Sequence, residues 1–180
     1  MSYYGNEYER RTLMNIEALY FQKYFYFKHL NQSSSEHRVT YWVKLSRDIE
    51  LHRLMYALLD VVQNQPVLRT QFVTDDFNQL KINLRDFFPF IEIKEVNEMS
   101  QSIDLEAFFT RNLNSYHFNQ LPLFNFKIYQ FLDGAYLLLD FHATIFNESQ
   151  LTPFLQQLNI AYTHSLKSEY SISDFYNWIK

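Results

Sequence analysis

The chain has 180 residues, of which 47% are hydrophobic and 19% aromatic, enough apolar area for the core of one domain spanning residues 1–180. A formal net charge of −4, with acidic and basic residues interspersed, lacks the positive footprint of a nucleic-acid binder. The absence of cysteine excludes disulfides, thiolate nucleophiles and thiolate metal sites.

The start, MSYYGNEYERR, has no secretory pattern, and no apolar run approaches the ~20 residues of a membrane span, so a soluble cytoplasmic chain is expected. Residues 12–30 are aromatic-rich at roughly helical spacing, with Ile16, Leu19, Tyr20 and Lys23 in step, and a polar loop follows at Asn31 to Glu36. The rings between Tyr20 and Phe27 suit either a core or a partner-facing surface. Arg38 to Leu45 alternates Val39, Tyr41, Val43 and Leu45 as a half-buried strand does. Asp48 can cap a helix running to about Asn64, with Leu51, Leu54, Met55, Leu58 and Val62 on one face and Pro66 ending it.

Val67 to Val73 reads as a strand, as do Gln79 to Leu84 and Ile91 to Val96 on either side of a Phe/Pro turn. Asp104 to Leu113 reads as a helix. Leu123 to Phe131 and Ala135 to His142 flank Leu132-Asp133-Gly134, and an Asp-Gly pair between two apolar runs is a hairpin signal. Asn147 or Ser149 can cap a last helix whose stripe is Leu151, Phe154, Leu155, Leu158 and Tyr162. Helices mixed with largely antiparallel strands give an α+β, or layered α/β, domain.

The stretch LLLDFHATIFNES, Leu137 to Ser149, carries the clearest chemical signal, a histidine at a strand end followed by a loop and a helix. It resembles the HHxxxDG signature of the condensation domains of non-ribosomal peptide synthetases. His142 stands for the second histidine, while Phe141, Phe146 and Asn147 replace the first histidine, the aspartate and the glycine. NQPVLRTQF, Asn64 to Phe72, resembles the family's RHExLRTxF element, and IEALYFQ, Ile16 to Gln22, its opening helix. HFNQLPLFNFKIYQF, His117 to Phe131, resembles FDLxxGPLxRxxL, with Asn119 and Leu121 for aspartate and glycine. YSISDFYNWIK, Tyr170 to Lys180, is similar to the helix closing the family's N-terminal half.

The resemblance implies the N-terminal, chloramphenicol-acetyltransferase-like subdomain of a condensation domain, an open, largely antiparallel sheet packed by helices. It further implies amide-forming acyl transfer from a carrier-bound thioester, inactive in this chain alone because a tunnel needs two walls. Phosphopantetheine would arrive on the carrier protein, with no cofactor held by the chain. The alternatives are a non-catalytic module docking a carrier protein or synthetase partner, the missing C-terminal subdomain included, and an acyltransferase that self-associates into a homo-oligomer.

His142 is the candidate catalytic residue, a general base or positioning group, against the plainer reading of a structural histidine. Strand alternation puts Asp140 on the same face, about 7 Å away at roughly 3.3 Å per residue, where it either orients His142 or meets solvent or a basic neighbour. Thr144 or Ser149 can supply a hydroxyl. Arg69 resembles the family arginine that pairs with the signature aspartate; with Phe146 there, Asp140 or Glu148 should take over, and Phe146 should turn inward. The other histidines, 29, 37, 52, 117 and 164, show no metal spacing, and with only Gly5 and Gly134 no phosphate loop can form.

Overall fold

A computed structural model of the chain describes residues 14–31, 37–74, 80–85, 87–118 and 120–164. The closing motif Tyr170 to Lys180, Asn119 and most of the polar loop 31–36 lie outside the described residues. Among the described residues, strands and α-helices run in the order β1 (Met14–Glu17), α1 (Tyr20–Asn31), β2 (Arg38–Lys44), α2 (Leu51–Asn64), β3 (Thr70–Thr74), β4 (Leu80–Leu84), β5 (Glu92–Val96), α3 (Leu105–Arg111), β6 (Phe124–Phe131), β7 (Gly134–His142) and α4 (Leu151–His164). The fold is α+β, with open and mainly antiparallel sheets. One sheet has the order β2-β7-β6-β5 and the other β1-β4-β3; among the described strands only β5 and β6 run parallel.

Alternation along the central hairpin sorts its side chains to two faces. Leu137, Leu139 and Phe141 of β7 and Phe124, Phe126 and Ile128 of β6 are buried in one cluster with Leu54, Leu58 and Val62 of α2 and Phe154 and Leu158 of α4. Tyr136 and Leu138, with Tyr129 and Phe131, pack on the opposite face against Phe109 of α3. The hairpin joins at Leu132 and Asp133, with Phe131 paired to Gly134. Gly134 therefore opens the second strand rather than sitting at the turn's centre, at φ 154°, where a side chain is disfavoured. Asp133 faces elsewhere, accepting from the Ser100 N–H at 2.7 Å and the Ser100 hydroxyl at 2.8 Å.

Three expected elements differ at their starts. Residues 14–17 are a strand paired with β4 instead of the first turn of a long helix, and α1 begins only at Tyr20, where Gln22 reaches back to the Leu19 N–H at 2.9 Å. Asp48 does not cap α2: it accepts from the Ser46 hydroxyl in a turn closed by Ile49 N–H to Ser46 O, and Glu50 is the residue preceding the helix. Pro66 to Arg69 form a 3₁₀ turn, because Pro66 fixes its own φ and suits a helical start, so the strand opens at Thr70. The helix expected at Asp104 to Leu113 forms as α3, and Asp104 caps it, accepting from the Ala107 N–H at 3.1 Å.

Candidate functional site

The end of β7 carries the candidate residues because even-numbered positions there point away from the α2–α4 layer. Asp140 and His142 are both fully buried. Thr40 and Arg38 lie opposite them on β2, paired with Asp140 and His142 in register. The segment that follows α3 lies across this corner, bringing in Asn114, Tyr116 and Phe118.

Asp140 is saturated by its neighbours. Arg38 donates to both carboxylate oxygens, through Nε at 3.1 Å and through Nη2 at closer range, while the Thr40 hydroxyl donates at 2.9 Å and the Tyr116 hydroxyl at 2.5 Å. Arg38 also donates to Asn114 O at 2.6 Å and lies over the Tyr116 ring, 4.6 Å from its centroid. Burial works against the arginine's charge, but the Asp140 hydrogen bond and charge outweigh it and raise the Arg38 pKa. Burial, then the adjacent Asp140 charge, push the Tyr116 phenol well above its ordinary range, so it stays protonated and donates. Of the two readings left open for Asp140, the structure shows the basic neighbour: its oxygens accept from the cross-strand Arg38, from Thr40 and from Tyr116.

His142 is oriented from its own turn instead. The Thr144 N–H, whose role as donor is fixed, points at His142 Nδ1 at 3.2 Å, and the Thr144 hydroxyl lies 2.7 Å from the same nitrogen. Nδ1 therefore accepts, and the neutral ring carries its proton on Nε2. Rings of Phe118, Tyr116 and His37 pack edge-on against the imidazole, with centroids 4.8, 5.7 and 6.5 Å away. Of the two hydroxyls considered from sequence, Thr144 serves; Ser149 is spent on Asn147.

Arg69 and Glu148 are not part of this corner. Arg69 donates from Nη1 to Arg85 O at 3.0 Å, and Arg85 N–H returns a bond to Arg69 O at 3.1 Å, so the guanidinium pairs with a β-edge carbonyl and with neither Asp140 nor Glu148. Glu148 is exposed in the first turn leading to α4. Phe146 turns inward as expected and packs on Phe141 and Phe154. Asn147, where the signature has glycine, caps that turn: it accepts from the Ser149 N–H at 3.0 Å, and Gln150 Oε1 accepts from the Asn147 N–H at 2.8 Å. Arg38, Tyr116 and His37 escaped the sequence reading. Arg38 had a signal, since a charge opening a strand that pairs beside a strand-borne aspartate is a cross-strand candidate. Among the described residues no group of three metal-ligating side chains occurs.

A sequence model of the condensation domain matches residues 15–180, and the chain belongs to that family. The structure is similar to the starter condensation domain of rhizomide synthetase RzmA, with a TM-score of 0.74 and 14% identity over 86% of this chain and 38% of that one. A mutant of that domain in complex with C8-CoA and Leu-SNAC gives a TM-score of 0.73 and 13% identity, covering 86% of this chain and 36% of the other. Tallysomycin biosynthesis protein TlmII gives 0.69 and 17%, covering 83% and 38%. The chain thus spans well under half the length of these structures, and at such identities they share its fold. The comparison with curated proteins found no match.

Proposed function

We propose that the chain supplies the histidine-bearing wall of a peptide-synthetase condensation domain, which joins a carrier-bound acyl thioester to an acceptor amine. The supporting observation is His142 at the end of β7, where the family signature falls, with its proton held on Nε2 by Thr144. From there the ring donates a hydrogen bond to a thioester carbonyl oxygen and to the oxyanion that develops on it. An acyl thioester and an aminoacyl thioester, the chemistry of the C8-CoA and Leu-SNAC bound to the RzmA domain, are the substrate classes. Phosphopantetheine enters on the carrier protein.

Phe118 and Tyr116 cover the buried His142, so their segment shifts before a thioester reaches it. The 180-residue chain alone is expected to bind thioesters without condensing them, because holding two reactants together is much of what such a site contributes. Incubation with loaded carrier proteins tests this: amide above the buffer background, abolished by His142→Ala, overturns the inactivity, and failure to bind any thioester overturns the acyl-transfer reading.

A second reading, a non-catalytic module docking a carrier protein or synthetase partner, is favoured by Phe141 and Phe146, which replace two signature residues with core packing. It expects partner binding to be unchanged by His142→Ala.

A further inference from the structure

The tautomer of His142 leaves a chemical task unfilled. A neutral imidazole that accepts at Nδ1 has its proton on Nε2, so it serves a carbonyl oxygen as donor and has no lone pair for the proton an attacking amine must lose. The signature's first histidine is absent, because position 141 is phenylalanine and faces the opposite layer. A second imidazole nevertheless stands beside His142, contributed from the start of β2.

His37 is 4% exposed, and its Nε2 has no hydrogen-bond partner among the described residues. Its ring centre lies 6.5 Å from that of His142, with the planes at 82°. The backbone fixes this placement: the Ala143 N–H donates to His37 O at 2.9 Å, prolonging the β2–β7 ladder past its last strand pair. Phe25 of α1 packs on the outer side, ring centres 5.8 Å apart. Buried polar atoms without partners are rare in native proteins, and each calls for an occupant.

We propose that His37 is the second catalytic imidazole of this site, an inference that rests on the acyl-transfer reading above. His37 Nε2 accepts an N–H of the acceptor amine while His142 Nε2–H binds the thioester oxygen. The amine lone pair forms the C–N bond, the C–S pair leaves on sulfur, and the amine proton passes to His37 Nε2 and on to the thiolate, giving amide and thiol. The two histidines thus divide the substrates, acceptor to His37 and donor to His142.

Imidazole-detected nitrogen NMR on the full 180-residue chain, titrated separately with Leu-SNAC and C8-CoA, tests this division. Leu-SNAC is expected to shift the His37 ring signals, and His37→Gln to weaken Leu-SNAC binding by roughly tenfold, about 1.4 kcal/mol, while leaving C8-CoA affinity within twofold. His142→Gln should do the reverse. The wild-type ring shifts need no variant, and His37→Asn repeats the test if His37→Gln misfolds. Unchanged His37 signals under Leu-SNAC, or equal loss of both ligands in the His37 variants, overturn the role of His37 and leave the acyl-transfer reading standing. If neither thioester moves either histidine, that reading falls and the role of His37 with it.

Discussion

Phe141 and Phe146 stack face to face, their ring centres 3.8 Å apart and their planes within 6° of parallel. They occupy two positions at which the condensation-domain signature is polar, and Phe154 of α4 closes the pair with edge contacts at 5.4 and 6.0 Å. These two departures from the signature are therefore one change in packing: the turn after β7 is held by apolar contact with α4. Phe146→Ala should cost about 3–5 kcal/mol. Phe146→Asp, which restores the signature residue, should cost at least as much at neutral pH, because it trades a stacked ring for a carboxylate inside an apolar cluster. Urea unfolding of the two variants checks the order.

Asp140 and Arg38 form an ion pair whose side chains are 0% and 12% exposed. Breaking a pair of that kind strands a buried charge, so Asp140→Asn should lose roughly 3–5 kcal/mol, while Arg38→Met with Asp140→Leu should regain most of it. Tyr116→Phe removes one charge-assisted bond and should lose about 1.5–3 kcal/mol. It should also speed hydrogen exchange in residues 112–118, where Arg38 and Lys127 donate to the carbonyls of Asn114 and Asn112. Unchanged exchange in that segment would contradict the view that Asp140 anchors the cover over His142.

Local periodicity carried most of the fold. The hairpin around Asp133, the helix after Asp104 and the apolar stripes of α2 and α4 are each written in consecutive residues, and each formed where expected. The candidate site was less legible. His142 and Asp140 were visible because they share one strand, but their partners come from distant segments: Arg38 is 102 residues from Asp140 and Tyr116 is 24. The β2–β7 pairing brought Arg38 and the segment after α3 brought Tyr116, and no spacing rule within one segment predicts either. Arg69 shows the converse, since a motif match placed it near the signature while the Arg85 carbonyl, at the end of the neighbouring strand, holds it.

The exposed rings of α1 give the self-association reading a surface. Tyr20 is 88% exposed and Tyr24 half exposed, whereas Phe25 and Tyr26 turn in toward His37 and Phe118. If copies associate through that face, Tyr20→Ser with Tyr24→Ser should lower the sedimentation coefficient at high concentration without lowering the thermal midpoint. A wild-type chain that stays monomeric throughout would remove the homo-oligomer from consideration.

Tyr129 sets an alkaline limit. It is fully buried, and burial, aided by the charge of Glu92, pushes its phenol up to about 12 from the ordinary 10.0. A phenol whose folded pKa exceeds its unfolded value favours folding fully below the unfolded pKa and loses that contribution as pH rises through the folded one. Stability should therefore decline between pH ~10 and ~12. Tyr129→Phe should flatten that decline and be no less stable at pH 7, because the hydroxyl it removes has no partner among the described residues. Denaturant midpoints measured across the alkaline range decide it.

Asn147 stands where the signature carries glycine, and its side chain caps the turn that leads into α4. Asn147→Ala should cost about 1 kcal/mol, and Asn147→Gly, the family residue, only a few tenths. The difference matters for His142 because the same turn, Ala143 to Asn147, begins with the Thr144 N–H that fixes the imidazole tautomer. If the cap only closes α4, both variants should leave the His142 nitrogen shifts where they are. If it also holds the turn, Asn147→Ala should loosen the Thr144 bond and move the Nδ1 signal while Asn147→Gly does not. The expected result is the second, since Ile145 N–H donates to His142 O at 3.0 Å and couples the turn directly to the strand end.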